Sequence, residues 1–241
     1  SSHEPRMLDE GWLGQDTSFG GADKVGHLYA HYVVQRFLFT AYDHCDTYKN
    51  EALIYSTTMT CVVGLMIECG DTFTSQYGFS INDIVFDYAG VAMGALLDAY
   101  PVADAFMSVT VKYIPTDEYN EIEKGWIKSL QWVNDYSGYI YMANFKLAGF
   151  KYIGYDIPEF LRYIQIDLGY YTRGFSSYDE KTNRTHDDDR RYVYCGLSIN
   201  FAEVVKDLYD DPNSRASRLS QIPFRYYTIT TPMNYSKGLS H

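Results

Sequence analysis

Positive charge is scarce in this sequence. Twenty Lys and Arg face 31 Asp and Glu, which leaves a formal charge of -11 with no basic cluster to offset it. Nucleic acid is thereby excluded as a partner, because phosphate binding needs a cationic surface. An anionic membrane surface would be repelled on the same ground. Cysteine is also sparse: Cys45, Cys61, Cys69 and Cys195 form no C-x-x-C pair and no zinc spacing. Cys61 and Cys69 lie too far apart to meet along one helix, and a Cys45 bridge to a later residue would need an oxidising compartment. Cys61 and Cys195 are expected as small buried apolar residues. Catalytic signatures are missing too, with no G-x-S-x-G elbow, no P-loop, no dinucleotide fingerprint and neither H-E-x-x-H nor E-x-x-H. No cofactor is implied. The opening "SSHEPRML" carries no apolar signal segment, but a mature chain whose signal peptide had been removed would open the same way, so cytoplasm does not follow.

Aromatic side chains, by contrast, are abundant. Tyrosine accounts for 25 of 241 residues and aromatics for 17%. Tyrosine joins an apolar body to a polar tip, which suits surfaces that meet both water and something apolar, and it is also a good strand residue. With 46% hydrophobic and 21% charged residues the chain folds, as one large domain or two small ones.

Hydrophobic periodicity changes once along the chain. Before Pro101 it is helical, and three helices are predicted: about Ala22–Ala41 after the Gly20-Gly21 pair, about Asn50–Cys69 stopped by Gly70, and one within "GFSINDIVFDYAGVAMGALLDAYP". In the third, Ser80 is the N-cap with Asp83 three residues on, a variant capping box, and Pro101 marks the end. The second carries no charge from Ala52 to Ile67, and Ser56, Thr57, Thr58 and Thr60 dilute it. A buried bundle helix is the first reading and a short membrane-embedded one the second. After Pro101 the period becomes two, in "AFMSVTVKYI", "GYIYMANFKL", "RYIQIDLGYY" and "RYVYCGLSINFAEV". In the last of these, Val193, Cys195, Leu197, Ile199 and Phe201 share an apolar face, and Tyr192, Tyr194, Ser198 and Asn200 a polar one. "SSYDEKTNRTHDDDRR" reads as an exposed hairpin loop, "YDDPNSRASRLSQ" as a second loop, and "IPFRYYTITT" as a final extended segment. The expected architecture is α+β. A bundle of about three helices over residues 1–104 leads into an antiparallel β-rich region over residues 105–241, either a partial sheet or a small barrel.

One constellation could carry chemistry. Asp23, His27 and His31 fall at i, i+4 and i+8, so a helix sets them on one stripe. Glu68 and Asp71 close the second helix, and Asp83 and Asp87 open the third. Convergence would give either a structural polar network of Asp23, Lys24, His27, Glu68, Asp71, Asp83 and Asp87, or a catalytic group of Asp23, His27, Glu68 and Asp83. His27 and His31 are the metal-ligand candidates, though no metal is expected. Asp23, Lys24 and His27 should face inward, with Asp23 paired to Lys24 or bonded near Ser80 to Asp83, and His31 should matter less. Gly90 and Gly94 form a G-x-x-x-G that lets two helices approach closely.

"GADKVGHLYAHYV", "GLMIECGDTF" and "GFSINDIVFDYAGVAMGALL" together resemble the YfiM-like family of predicted periplasmic lipoproteins. The skeleton D-K-x-x-H, a following glutamate and D-x-x-x-[N/D]-x-x-G-x-x-x-G is similar to that of VanZ-like membrane proteins. It maps to Asp23, Lys24 and His27, then Glu68, then Asp83, Asp87, Gly90 and Gly94. Asp87 stands where the VanZ-like pattern usually has asparagine, and no lipoprotein cysteine opens the chain. The β-rich tails of longer YfiM-like members resemble "NDYSGYIYMANFKL", "YIQIDLGYYTRGF" and "RRYVYCGLSINFAEV". The likeness implies the periplasm or outer membrane of a Gram-negative bacterium, with surface exposure as a variant, and no particular activity. The leading expectation is a non-enzymatic, outer-membrane-associated structural or assembly component, with a membrane or envelope-protein partner or further copies of itself. The alternative is an envelope hydrolase acting on lipid or glycan through the Asp/His/Glu group.

Overall fold

In the computed structural model, residues 7–8, 11–14, 16–73, 78–116, 135–175, 189–212 and 214–239 are described. The hairpin loop expected at residues 176–191 lies mostly outside them, as does most of "TDEYNEIEKG".

Three long helices come first: α1 (Ala22–His44), α2 (Lys49–Asp71) and α3 (Ile81–Ala99). Gly21 opens α1 at φ 86°, a left-handed conformation that a side chain would strain. Ser80 caps α3, its hydroxyl accepting from the Asp83 amide at 3.2 Å. The chain before α1 pairs with the chain before α3 through the two-residue parallel strands β1 (Met7–Leu8) and β2 (Phe79–Ser80). Pro101 stops α3 and opens a short helix, α4 (Pro101–Phe106), where its missing N–H is harmless.

The β region is an open antiparallel meander of β3 (Met107–Tyr113), β4 (Tyr139–Lys146), β5 (Ile164–Arg173), β6 (Arg190–Ile199) and β7 (Thr230–Gly238), in chain order across the sheet. A short helix, α5 (Ala148–Tyr152), follows β4, and α6 (Phe201–Lys206) and α7 (Arg215–Tyr226) lie between β6 and β7. Among the described residues the sheet does not close, so the molecule is a mixed α+β fold with a helical front and a partial sheet behind.

α7 corrects the reading of the C-terminal region. "RASRLSQ" is not loop and "IPFRY" is not extended; both lie in α7, Tyr227 is an isolated bridge to Val111, and the strand begins at Thr230. Ser214 caps the helix, accepting from the Ser217 amide at 3.2 Å. Phe224 packs against Phe201 of α6, with ring centroids 5.7 Å apart. A cap and tertiary packing thus override the β propensity of the aromatic run.

α1 joins the two halves. Val25 and Tyr29 pack on Val111, Tyr139 and Tyr141 of β3 and β4. Phe19 and Ala22 meet Phe175 and Tyr136. The apolar core is nevertheless small, and the polarity of the sheet runs against that of a water-soluble sandwich. Gln165, Asp167, Ser198, Asn144 and Thr110 are buried, while Ile166, Leu168, Val193 and Ile199 are exposed. Cys195, expected as a buried residue, lies on that exposed face. α2 repeats the inversion. It buries Ala52, Ser56, Thr60, Gly64 and Glu68, an i, i+4 stripe of small and polar residues, and exposes Ile54, Met59, Val62, Met66 and Ile67. The buried-bundle reading of this helix is therefore corrected: the hydroxyls that dilute its apolar run are its packing face. Its length and composition would allow it to cross a membrane.

Candidate functional site

The side chains singled out by sequence converge between α1, α2 and α3. Lys24, fully buried at the start of α1, sits 3.0 Å from Asp23 Oδ2 and 2.6 Å from Asp83 Oδ1. One helical turn on, His27 Nδ1 lies 2.9 Å from Asp87 Oδ1, and its Nε2 lies 3.6 Å from Asp23 Oδ1. His31 Nδ1 approaches the same Asp87 oxygen at 2.7 Å and the His27 carbonyl at 3.0 Å. His31 is the more buried of the two histidines. Glu68, at the end of α2, accepts from the Ser80 amide at 3.1 Å and so ties α2 to the start of α3. Asp71 lies at the rim, within electrostatic reach of His27, Asp83 and Asp23.

Small residues make this convergence geometrically feasible. A Cβ on Gly90 would collide with the Leu28 carbonyl, and one on Gly94 with the Gln35 side chain, so these glycines set how closely α1 and α3 approach. Gly64 does the same for α2, where a Cβ would meet His31 Nε2 at 2.8 Å.

Electrostatics follow from this crowding. Burial pulls the His27 pKa down. The hydrogen bond to Asp87 and the charges of Asp23, Asp83 and Asp87 outweigh it and raise the value to about 10. Burial pushes Asp87 up, yet hydrogen bonds from His27 and His31 and their charges hold it below the ordinary carboxylate value. Glu68 rises to about 7, mainly through burial. Two sets of atoms are close enough to hold a cation, His27–His31–Asp87 and Asp23–His27–Asp83, each within 4.8 Å. Lys24 and a protonated His27 already supply positive charge at both.

A second polar knot extends the same face of α1, and motif reading passed over it. Arg36 reaches Asp98 Oδ1 at 3.0 Å and Asp104 Oδ1 at 2.5 Å, and Gln35 Nε2 donates to the Ser56 hydroxyl at 3.3 Å. The available signal was a lone arginine in the apolar run "VVQRFLF", on a chain otherwise poor in cations. A third network lines the inner face of the sheet. Asp167 Oδ1 accepts from Asn144 at 2.7 Å, from Ser198 at 2.9 Å and from Gln165 at 3.4 Å.

Residues 9–99 match the model of a family described as "Predicted periplasmic lipoprotein (DUF2279)". That span holds the three long helices and every carboxylate and histidine of the convergent site, and it makes the helical half similar to an envelope family. No curated protein and no solved structure matches the chain.

Proposed function

We propose that this chain is a non-enzymatic structural or assembly component of the bacterial envelope, associated with the outer membrane through its apolar faces. The YfiM-like resemblance is the finer form of the same reading. One observation carries it: the sheet buries Gln165, Asp167 and Ser198 and presents Ile166, Leu168, Val193 and Ile199 outward. Water rewards the opposite arrangement, whereas lipid or an apolar partner rewards this one. The outer face of α2 supports the same setting, with Ile54, Met59, Met66 and Ile67 exposed. On this reading the Asp23–Lys24–His27–Asp83–Asp87 seam is structural. It holds three helices in register where an apolar core is too small to do so. The parts at residues 1–104 and 105–241 then act as one unit, since α1 packs against both.

The hydrolase alternative needs water and substrate at Asp23, His27, Glu68 and Asp83. Asp23, Glu68 and Asp83 are all buried, so it is not adopted.

Flotation with phosphatidylcholine vesicles tests the reading. The full chain should float with the vesicles, stay bound through a high-salt wash and be released by detergent. Recovery as a stable monomer without detergent, with no flotation, would overturn it. A soluble oligomer that dissociates on dilution would instead assign the apolar faces to further copies of the chain.

A further inference from the structure

The C-terminal end of α1, the first turn of α2, the α3–α4 corner and α7 line a cleft of about 230 Å³ beside the Arg36–Asp98–Asp104 knot. Its walls carry Arg36, Lys49, Arg218 and Arg225 against Asp43, Asp98 and Asp104. Four cations thus meet three carboxylates here, whereas the chain as a whole has 20 Lys and Arg against 31 Asp and Glu. Arg36 is already committed, to Asp98 and Asp104. Lys146 stands close by and donates to the Asp104 carbonyl. Burial lowers its pKa to about 8; Asp104 opposes the fall, and Arg36 and Arg225 add to it. Among the described residues Lys49, Arg218 and Arg225 form no ion pair.

Local structure aims these groups. Arg218, Ile222 and Arg225 fall at i, i+4 and i+7 on α7, so one face of that helix presents both guanidinium groups to the cleft. Lys49 is the first residue of α2, a 23-residue helix whose preceding Tyr48 makes no side-chain cap. Glu51 in the same first turn complements the positive end of that helix, so Lys49 is what α2 brings to the cleft. The volume falls below the roughly 300–1,000 Å³ of pockets that enclose a drug-sized ligand, so the cleft suits one charged group.

We propose that this cleft binds a phosphate group, held by Arg218 and Arg225 with Lys49. Guanidinium forks match phosphate oxygens in pairs, and a lysine adds a compact positive charge beside them. The apolar outer face of α2 begins at Ile54, about one turn past Lys49, which is where a lipid headgroup would meet a helix set against lipid. The chain's acidity argues for one headgroup and against an anionic surface. The site goes beyond the membrane reading and does not depend on it.

The full chain is titrated with inorganic phosphate, and separately mixed with phosphatidylcholine vesicles with and without phosphatidic acid. Arg218→Gln and Arg225→Gln are compared with Arg215→Gln, an exposed arginine outside the cleft on the same helix. Circular dichroism confirms that each variant folds. Arg218→Gln and Arg225→Gln should each weaken binding about tenfold, on the scale of a charge-assisted hydrogen bond, with Arg215→Gln unchanged. Arginine-dependent binding of phosphate alone assigns the site to a free anion; dependence seen only with phosphatidic acid assigns it to a headgroup. Binding in both arms that is indifferent to Arg218 and Arg225, or no binding in either, overturns the site. Phosphate binding without any flotation would leave the site standing and sink the membrane reading.

Discussion

Lys24→Met is the sharpest probe of the seam. The ammonium is fully buried and faces Asp23 at 3.0 Å and Asp83 at 2.6 Å. At an effective dielectric of 20, each contact is worth about 6 kcal/mol of gross attraction, most of it offset by the cost of taking the ions out of water. Methionine keeps the volume and removes the charge, which leaves two carboxylates buried beside a third, Asp87. Loss of one partner from such a pair costs about 3–5 kcal/mol. Denaturant unfolding followed by circular dichroism should therefore show a lower midpoint at unchanged slope. Adding Asp83→Asn to Lys24→Met removes one stranded charge and should recover part of the loss. A single variant within about 0.5 kcal/mol of the parent would mean that the carboxylates take up protons without cost and that Lys24 does not organise the helices. A double variant no better than the single would show that the loss comes from packing and not from charge.

Gly90→Ala should destabilise by about 1–3 kcal/mol through overpacking on the Leu28 carbonyl, whereas Gly70→Ala, where a Cβ would meet open space, should be neutral or mildly stabilising; thermal melts compare them. His27 should make stability fall as pH rises. Its pKa goes from 6.5 to about 10 on folding, so the contribution is complete below pH 6.5 and lost toward pH 10. Unfolding series across that range should slope in the parent and flatten in His27→Gln. Asp167→Leu should cost more than Asp167→Asn, because leucine leaves the buried Asn144 and Ser198 donors unanswered at about 1–3 kcal/mol each, while asparagine keeps an acceptor. Cys195, on the outer face of β6, should resist a water-soluble maleimide in vesicles and react in detergent, while exposed Cys45 reacts in both; equal labelling in vesicles would argue against lipid at this face.

Much of this was legible in the residues. The helix ends marked by Ser80 and Pro101 are local signals, and so are the four alternating strands; Gly70 did not stop α2, which runs on to Asp71. The i, i+4 spacing of Asp23, His27 and His31 also carried the stripe. What alternation cannot tell is which face of a strand is covered. "QIDL" reads the same whether Gln165 and Asp167 or Ile166 and Leu168 turn inward, so Cys195 was misplaced. α2 misled for the same reason, since its apolar residues outnumber the small polar ones on which it packs. α7 was hidden because its cap is a lone serine and its aromatic run favours strand. Arg36 was overlooked because its partners, Asp98 and Asp104, are more than sixty residues away in sequence and no short motif spans that distance.

A sheet whose outer side chains meet only lipid or another apolar surface receives no positional instruction from that side. Slipping β5 by two residues against β4 would return aliphatic groups to the outside and cost little there. The inner side chains remove that degeneracy. Thr110 of β3 donates to Asn144 of β4 at 2.8 Å, Asn144 to Asp167 of β5, and Ser198 of β6 to the same oxygen. A two-residue slip of β5 against β4 would break the Asn144 link and take from Asp167 its shortest hydrogen bond. The cross-strand chain of donors and acceptors thus works as a key that fits only one alignment of four strands. It gives this sheet the uniqueness that a soluble protein draws from the interlocking shapes of its core.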